Sequence, residues 1–241
     1  MVKAAEKGRT VRAMFDRIAH RYDLLNGLMT FGRDRYWRRT VVRLAGLSMG
    51  GRLLDVATGT GMIGIEALRD LPGLDVTACD FSLEMMQEGR RRPESRHLKW
   101  CCTDALRLPF PEGAFDAVTS GFLIRNVADP LAAFREQVRV VRPCGRVVCL
   151  DTAPPARTWY RPLVDFQLKR VIPLLGTWLS GDAHAYRYLP DSTLAFKSPR
   201  ELAAIMEKAG LIDVTFRTFM LGTIVILAGA RPGNPVKSEA R

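Results

Sequence analysis

From residue 52 onward, short apolar runs alternate with stretches of helical spacing, and no other feature of the chain constrains its fold as tightly. The runs lie at 52–57, 74–79, 98–102, 115–120, 146–151, 212–219 and 222–229, and helical stretches fill 62–71, 82–92 and 129–141. Strand alternating with helix means βαβ units and a parallel sheet. The last two runs are joined by only a few residues around Leu221-Gly222. That is too short for a crossover, so they predict an antiparallel hairpin. The expected class is α/β, with a seven-stranded, mostly parallel sheet, an antiparallel C-terminal hairpin and helices on both faces.

A chain of 241 residues can hold one such domain with a large core, and residues 1–231 read as that domain. In 11–29, Val11, Met14, Phe15, Ile18, Tyr22 and Leu25 recur at helical spacing, so residues 1–50 are expected to form a helical lid. Residues 154–200 interrupt the alternation and predict an insertion of short helices over the active site. The polar tail 232–241 is expected to be disordered.

The first strand runs into "LLDVATGTGMIGIEAL", which contains the pattern G-x-G-x-x-G. Alone, that pattern suits a dinucleotide enzyme equally well. Asp55 sits inside the strand, four residues before Gly59. A carboxylate there would repel a pyrophosphate but could hold a cationic ligand, directly or through water. S-adenosylmethionine carries a sulfonium and an ammonium and no phosphate. Gly59 and Gly61 would allow its close approach to the backbone. Asp80 ends the second strand, where Rossmann-like folds bind ribose hydroxyls. Asp104 follows the third, within reach of an adenine amine. Any one of these could be an ordinary solvated strand-end acid, but three at successive strand ends point to a nucleoside ligand.

Across residues 11–230 the chain resembles the class I S-adenosylmethionine-dependent methyltransferases, which have a Rossmann-like fold. More narrowly, it resembles the ubiquinone/menaquinone-biosynthesis C-methyltransferases. The resemblance rests on "MFDRIAHRYDLLNGLMTFGRDRYWRR", "LLDVATGTG", "DALRLPFPEGAFDAVTSGFLIRNVADP", "AYRYLPDS" and "SPRELAAIMEKAGL". It implies cofactor contacts at Thr60, Asp80 and the pair Asp104-Ala105, with Gly121 standing where the family has serine. "FLIRNV", "RPCGR" and "LGTIVILAG" depart from the family pattern, the first and third near the expected substrate pocket.

The implied reaction moves a methyl from the sulfonium to a ring carbon of a polyprenyl quinol, with demethylmenaquinol favoured over a benzoquinol. Positioning and phenolate stabilisation would supply the rate. Arg stays protonated, so Arg125 is assigned to phenolate stabilisation and Asn126 to orientation. The alternative for Arg125 is a structural pair with Asp129. Tyr22, Tyr186 and Tyr188 are candidates for lining the pocket or for core packing. Asp182, beside His184, is the further catalytic candidate that the resemblance supports.

Charge bears on partners. The net charge is +11, and residues 1–43 hold eleven basic against four acidic residues. This N-terminal helix either docks on an anionic membrane or serves as a lid alone. Nucleic acid is disfavoured as a partner, because "SGFLIRN" lacks the proline-rich motif of base methyltransferases. Two other readings stay open: a methyltransferase of another aromatic or lipid metabolite, and a non-catalytic cofactor-binding subunit. The oligomeric state is open too, a homodimer included. The N-terminus has no apolar signal segment, and no run reaches the ~18 apolar residues of a membrane span, so a cytoplasmic, membrane-peripheral location is expected. The five cysteines lack a C-x-x-C spacing and read as buried free thiols, with no metal site.

Overall fold

The computed structural model describes residues 2–155 and 192–233. Asp182, His184, Tyr186 and Tyr188, most of the 154–200 insertion, and nearly all of the 232–241 tail lie outside the described residues. Helices α1 (Val2–Met29) and α2 (Asp34–Ala45) precede the sheet. Then follow β1 (Arg52–Val56), α3 (Met62–Asp70), β2 (Asp75–Asp80), α4 (Leu83–Arg90) and β3 (Lys99–Cys102). After them come β4 (Phe115–Gly121), α5 (Pro130–Val140), β5 (Val141–Thr152), α6 (Pro199–Lys208), β6 (Ile212–Phe219) and β7 (Ile224–Ala230).

The strand order is β3-β2-β1-β4-β5-β7-β6. β7 pairs antiparallel with both β5 and β6, and the other neighbours are parallel. Chain direction across the sheet therefore reverses between β1 and β4, and ligands of open α/β sheets bind at such a point, at the carboxyl ends of the strands.

Both faces of the sheet are covered, as parallel strands require. In β1, Leu54 joins one core cluster with Phe134, Leu202 and Met206, and Leu53 joins the other with Trp37, Val41 and Ile65. The segment 1–50 therefore divides. α2 packs its Trp37, Val41, Val42 and Ala45 into the core, and α1 lies apart in a small cluster of Met14, Ile18 and Leu25.

Local chemistry sets the helix ends. Asp129 accepts from Ala132 N at 3.0 Å and Pro130 opens α5. Ser198 and Glu201 form a reciprocal capping box on α6, with Pro199 as its first residue. β5 begins five residues earlier than the apolar run, at Val141. A register irregularity opposite Phe115/Ala117 accommodates the early start, and Cys144 takes a positive φ of 62° there. All five cysteines are free as expected, but only Cys79 and Cys149 are buried; Cys102 and Cys144 are exposed, and Cys101 is half-buried.

Candidate functional site

At the carboxyl ends of β1, β2 and β4, under α1, lies a cavity of about 710 Å³. Phe15 and Tyr22 of α1 form part of its roof; Gly59, Asp80 and Gly121 come from the strand ends, and Asp104 and Ala105 from the loop after β3. A smaller cavity of about 80 Å³ adjoins it, and Tyr22, Ala57, Gly59, Gly121 and Phe122 line both.

The glycine loop turns because Ala57, Gly59 and Gly61 take φ of 54°, 58° and 81°. Gly59 faces both cavities. Gly61, expected to touch cofactor, lines neither. A Cβ there would sit 2.8 Å from Leu98 and Trp100, and one at Gly64 would sit 2.9 Å from Leu98. These two glycines let α3 approach the sheet.

Asp80 stands where the sequence placed it. Its Oδ2 accepts from Gly59 N at 2.7 Å and its Oδ1 from Ser82 N at 2.8 Å. Burial pushes its carboxyl above the ordinary value, against the lowering effect of these amides. A carboxylate has about four acceptor sites, so further sites remain for a ligand hydroxyl on the cavity side. Asp104 is exposed and accepts from Leu106 N at 2.9 Å.

Asp55 requires a correction. Its side chain is fully buried behind the loop and lines neither cavity. Oδ2 accepts from the Thr58 hydroxyl at 2.6 Å and Oδ1 from that of Thr119 at 2.8 Å. Burial raises its carboxyl to about 6, with both threonines opposing the shift. Asp55 thus holds Thr58, which does reach the small cavity. Direct contact with a ligand is left to other residues.

Arg125 is paired, but not with Asp129, which caps α5. Its Nη1 donates to Asp151 Oδ1 at 2.8 Å, with side-chain exposures of 4% and 0%. Arg125 N donates to Asp151 Oδ2 at 3.2 Å. The guanidinium lies 4.8 Å over the Phe122 ring. Arg125 lines neither cavity, whereas Phe122 and Asn126 line the large one. Asn126 Nδ2 donates to Phe122 O at 2.8 Å. Burial raises the Tyr22 hydroxyl above its ordinary value, opposed by its bond with Asn26 and by the charge of Arg125.

Sequence reasoning missed the acids of α1. Asp16 and Asp23 lie seven residues apart, two helical turns, and so share the inner face. Ser82 Oγ donates to Asp16. Asp23 accepts from Thr60 Oγ1 at 3.0 Å and from Arg92 at 2.6 Å. Lys7 Nζ donates to Val127 O at 2.8 Å and Arg125 O at 3.3 Å. Thr60, expected to touch the cofactor, is therefore shared between the small cavity and the helix above it.

The small cavity also holds Asp34 and Arg38 of α2. They form an ion pair with side-chain exposures of only 16% and 14%, and burial lowers the Arg38 pKa. Charges this buried are costly to a fold. Beside a glycine loop they suit a zwitterion, the guanidinium facing a carboxylate, and Asp23 and Asp34 facing an ammonium. S-adenosylmethionine carries such an α-amino acid group, with a nucleoside that Asp80 and Asp104 can address. The described residues hold no cluster of three or more metal-ligating side chains.

Comparison with known proteins shows the family. The chain is 46% identical over 225 residues to the ubiquinone/menaquinone biosynthesis C-methyltransferase UbiE of Desulfotalea psychrophila, covering 93% of this chain and 92% of that one. It is 42% identical over 228 residues to the demethylmenaquinone methyltransferase of Roseiflexus sp., covering 95% and 96%. Among solved structures, the [4+2]-cyclase SpnF superposes with a TM-score of 0.66 at 18% identity, over 93% of this chain and 96% of that one, a likeness of fold alone. A sequence model of the ubiE/COQ5 methyltransferase family matches residues 1–231, and the chain belongs to that family.

Proposed function

We propose that this protein methylates a ring carbon of a polyprenyl quinol in menaquinone biosynthesis, with S-adenosylmethionine as methyl donor. The observation that carries the reading is family membership across 1–231, with relatives named for quinone methylation aligned along nearly their whole length. The second reading, a benzoquinol ring of ubiquinone biosynthesis, is favoured by the first relative's name, which joins both pathways.

The cofactor supplies an electrophilic methyl. Asp80 would accept from the ribose, Asp104-Ala105 would meet the adenine, and Arg38 with Asp23 and Asp34 would hold the amino acid end. Gly59 and Gly121, which line both cavities, would leave room for the sulfonium between those two ends. Phe15, Phe122 and Leu123 give the large cavity apolar walls that suit an aromatic ring. Tyr22 stands at the junction and orients the ring oxygen. Asp151 fixes Arg125, whose charge favours the phenolate through a low-dielectric wall. Asn126, bonded to Phe122 O, orients the ring.

The polyprenyl tail of such a substrate resides in a bilayer, so we also propose contact with an anionic membrane. No helix of the described residues is long and apolar enough to cross one. The test is incubation of purified protein with the cofactor and, in parallel, demethylmenaquinol or a demethylated benzoquinol, with products read by mass spectrometry. Methylation of the naphthoquinol is expected. Methylation of the benzoquinol alone would select the second reading, and methylation of neither would overturn both.

A further inference from the structure

The N-terminal helix has an outer face that the cavity does not use. Leu24 is 68% exposed, Leu28 44%, and Phe31, in the turn that follows, 78%. The spacing i, i+4 puts Leu24 and Leu28 on one face of the helix, and Phe31 is exposed in the turn at its end. Scattered apolar side chains on a surface need no explanation, but a contiguous row of large ones marks an interaction site. Backbone hydrogen bonds close the turn: Thr30 N donates to Asn26 O at 3.0 Å and Gly32 N to Gly27 O at 2.8 Å. Phe31 takes a φ of 52°, a conformation uncommon for a bulky residue.

Charge along the segment is sorted by side. Arg21, Arg33 and Arg35 are exposed, and Arg35 keeps about half of its side chain in solvent (56%) while lying 3.7 Å from Glu66. The two acids of residues 17–36 are turned inward, Asp23 to Thr60 and Arg92, and Asp34 to Arg38 and Thr30. The outer surface is thus an apolar ridge with cationic flanks and no carboxylate of its own segment. A protein partner would need a complementary groove for a convex ridge. A lipid interface receives any convex apolar shape, and anionic headgroups match the arginines. The more N-terminal cations are less suited to this task, because Lys7 is bonded to backbone carbonyls and Arg12 lies 5.2 Å over the Phe81 ring, at the cavity.

We propose that the ridge Leu24–Leu28–Phe31, flanked by Arg21, Arg33 and Arg35, docks the protein on an anionic phospholipid surface, its apolar side chains entering the headgroup–acyl boundary. The inference rests on the quinol reading above, since it gives the membrane contact a purpose. The helix that roofs the cavity with Phe15 and Tyr22 would itself lie on the bilayer that holds the substrate's tail.

The test compares wild type with a Leu24→Ser/Leu28→Ser/Phe31→Ser variant in sedimentation with vesicles of phosphatidylglycerol and phosphatidylcholine, and with phosphatidylcholine alone. Wild type should pellet with the mixed vesicles and far less with the neutral ones. The variant should lose roughly a hundredfold in partitioning while keeping the wild-type unfolding midpoint and wild-type turnover of a short-chain, water-soluble demethylmenaquinol. A Phe31→Trp variant should show fluorescence quenching by brominated lipid beyond that of wild type. Equal pelleting of the triple variant, or no added quenching at position 31, would overturn the proposal. So would a wild-type dimer that becomes a monomer on the triple substitution, because the ridge would then join two copies. If wild type docks as expected but methylates no short-chain quinol, the quinol reading fails and the docking face stands.

Discussion

Removing the counter-charge of Arg125 tests whether that residue serves the fold, the reaction or both. Asp151 is fully buried and accepts three hydrogen bonds: Arg125 Nη1 at 2.8 Å, Thr152 N at 2.8 Å and Arg125 N at 3.2 Å. Asp151→Ala leaves a guanidinium in the core with no partner charge. Breaking a buried pair in this way costs about 3–5 kcal/mol, against a total stability on the order of 5–15 kcal/mol. Urea unfolding at pH 7 should show that loss as an earlier midpoint. The double variant Arg125→Met/Asp151→Leu should recover the share owed to the unpaired charge, and not the share owed to the Arg125 and Thr152 amides, which still lose their acceptor. Turnover then separates the roles. If the charge is needed at the developing phenolate, the double variant stays folded, binds cofactor with nearly unchanged affinity, and is inactive. Wild-type stability in Asp151→Ala would refute the energetic argument. Wild-type turnover in the folded double variant would refute the electrostatic one and leave the pair as a brace for Phe122 and Asn126.

Three further substitutions probe the cofactor side. Asp80→Ala removes a charged acceptor worth about 1.5–3 kcal/mol, so calorimetry should show S-adenosylmethionine affinity down about tenfold or more, and equal affinity would count against a ribose contact. Arg38→Gln should weaken S-adenosylmethionine by about tenfold yet leave 5′-methylthioadenosine, which lacks the amino acid group, unaffected; equal weakening of both would mean that Arg38 acts through the fold. Asp55 gives a pH signature. Its folded value of about 6 lies above the ordinary 3.8, so the protonated form favours folding; that contribution is complete below about pH 4 and is lost as pH rises through 6. At about 1.4 kcal/mol per unit, the stability of Asp55→Asn relative to wild type should rise by about 3 kcal/mol between pH 4 and 7, and a constant difference in denaturation across that range would refute the assignment.

The sheet was legible because strand and helix periods alternate from 52 to 141, with a helix missing only between β3 and β4, and because the gap at Leu221-Gly222 admits only a hairpin. The early start of β5 was hidden by Pro143 and Cys144, which read as a turn and are carried in an irregular strand. α2 was hidden by its arginines: Trp37, Val41, Val42 and Ala45 form a buried stripe, but Arg35, Arg38, Arg39 and Arg43 make the segment read as a charged lid. Within the site, strand-end position was readable and side-chain direction was not. In β1, Leu53 and Leu54 are both buried, one on each face, so no polar alternation tells which way Asp55 points. Asp151 had a usable signal, since it ends its apolar run just as Asp80 does. Its partner could not be read, because the pairing depends on the turn that follows β4.

The contacts of α1 tie it to the residues around the cavity. Asp23 holds the hydroxyl of Thr60, Asp16 accepts from Ser82, whose amide donates to Asp80, and Lys7 caps carbonyls of the Phe122–Val127 segment. Each bond ends on a residue at, or one bond removed from, a position that a cofactor would occupy. Individually such bonds contribute about 1 kcal/mol net, more where a charge takes part, so the helix is held by a handful of exchangeable contacts and a small apolar cluster. A ligand that orders the glycine loop and Asp80 also orders the acceptors and donors that α1 needs, and a closed α1 supplies Phe15 and Tyr22 to the ring. If α1 opens and closes over the site, cofactor binding and closure would favour each other by linkage.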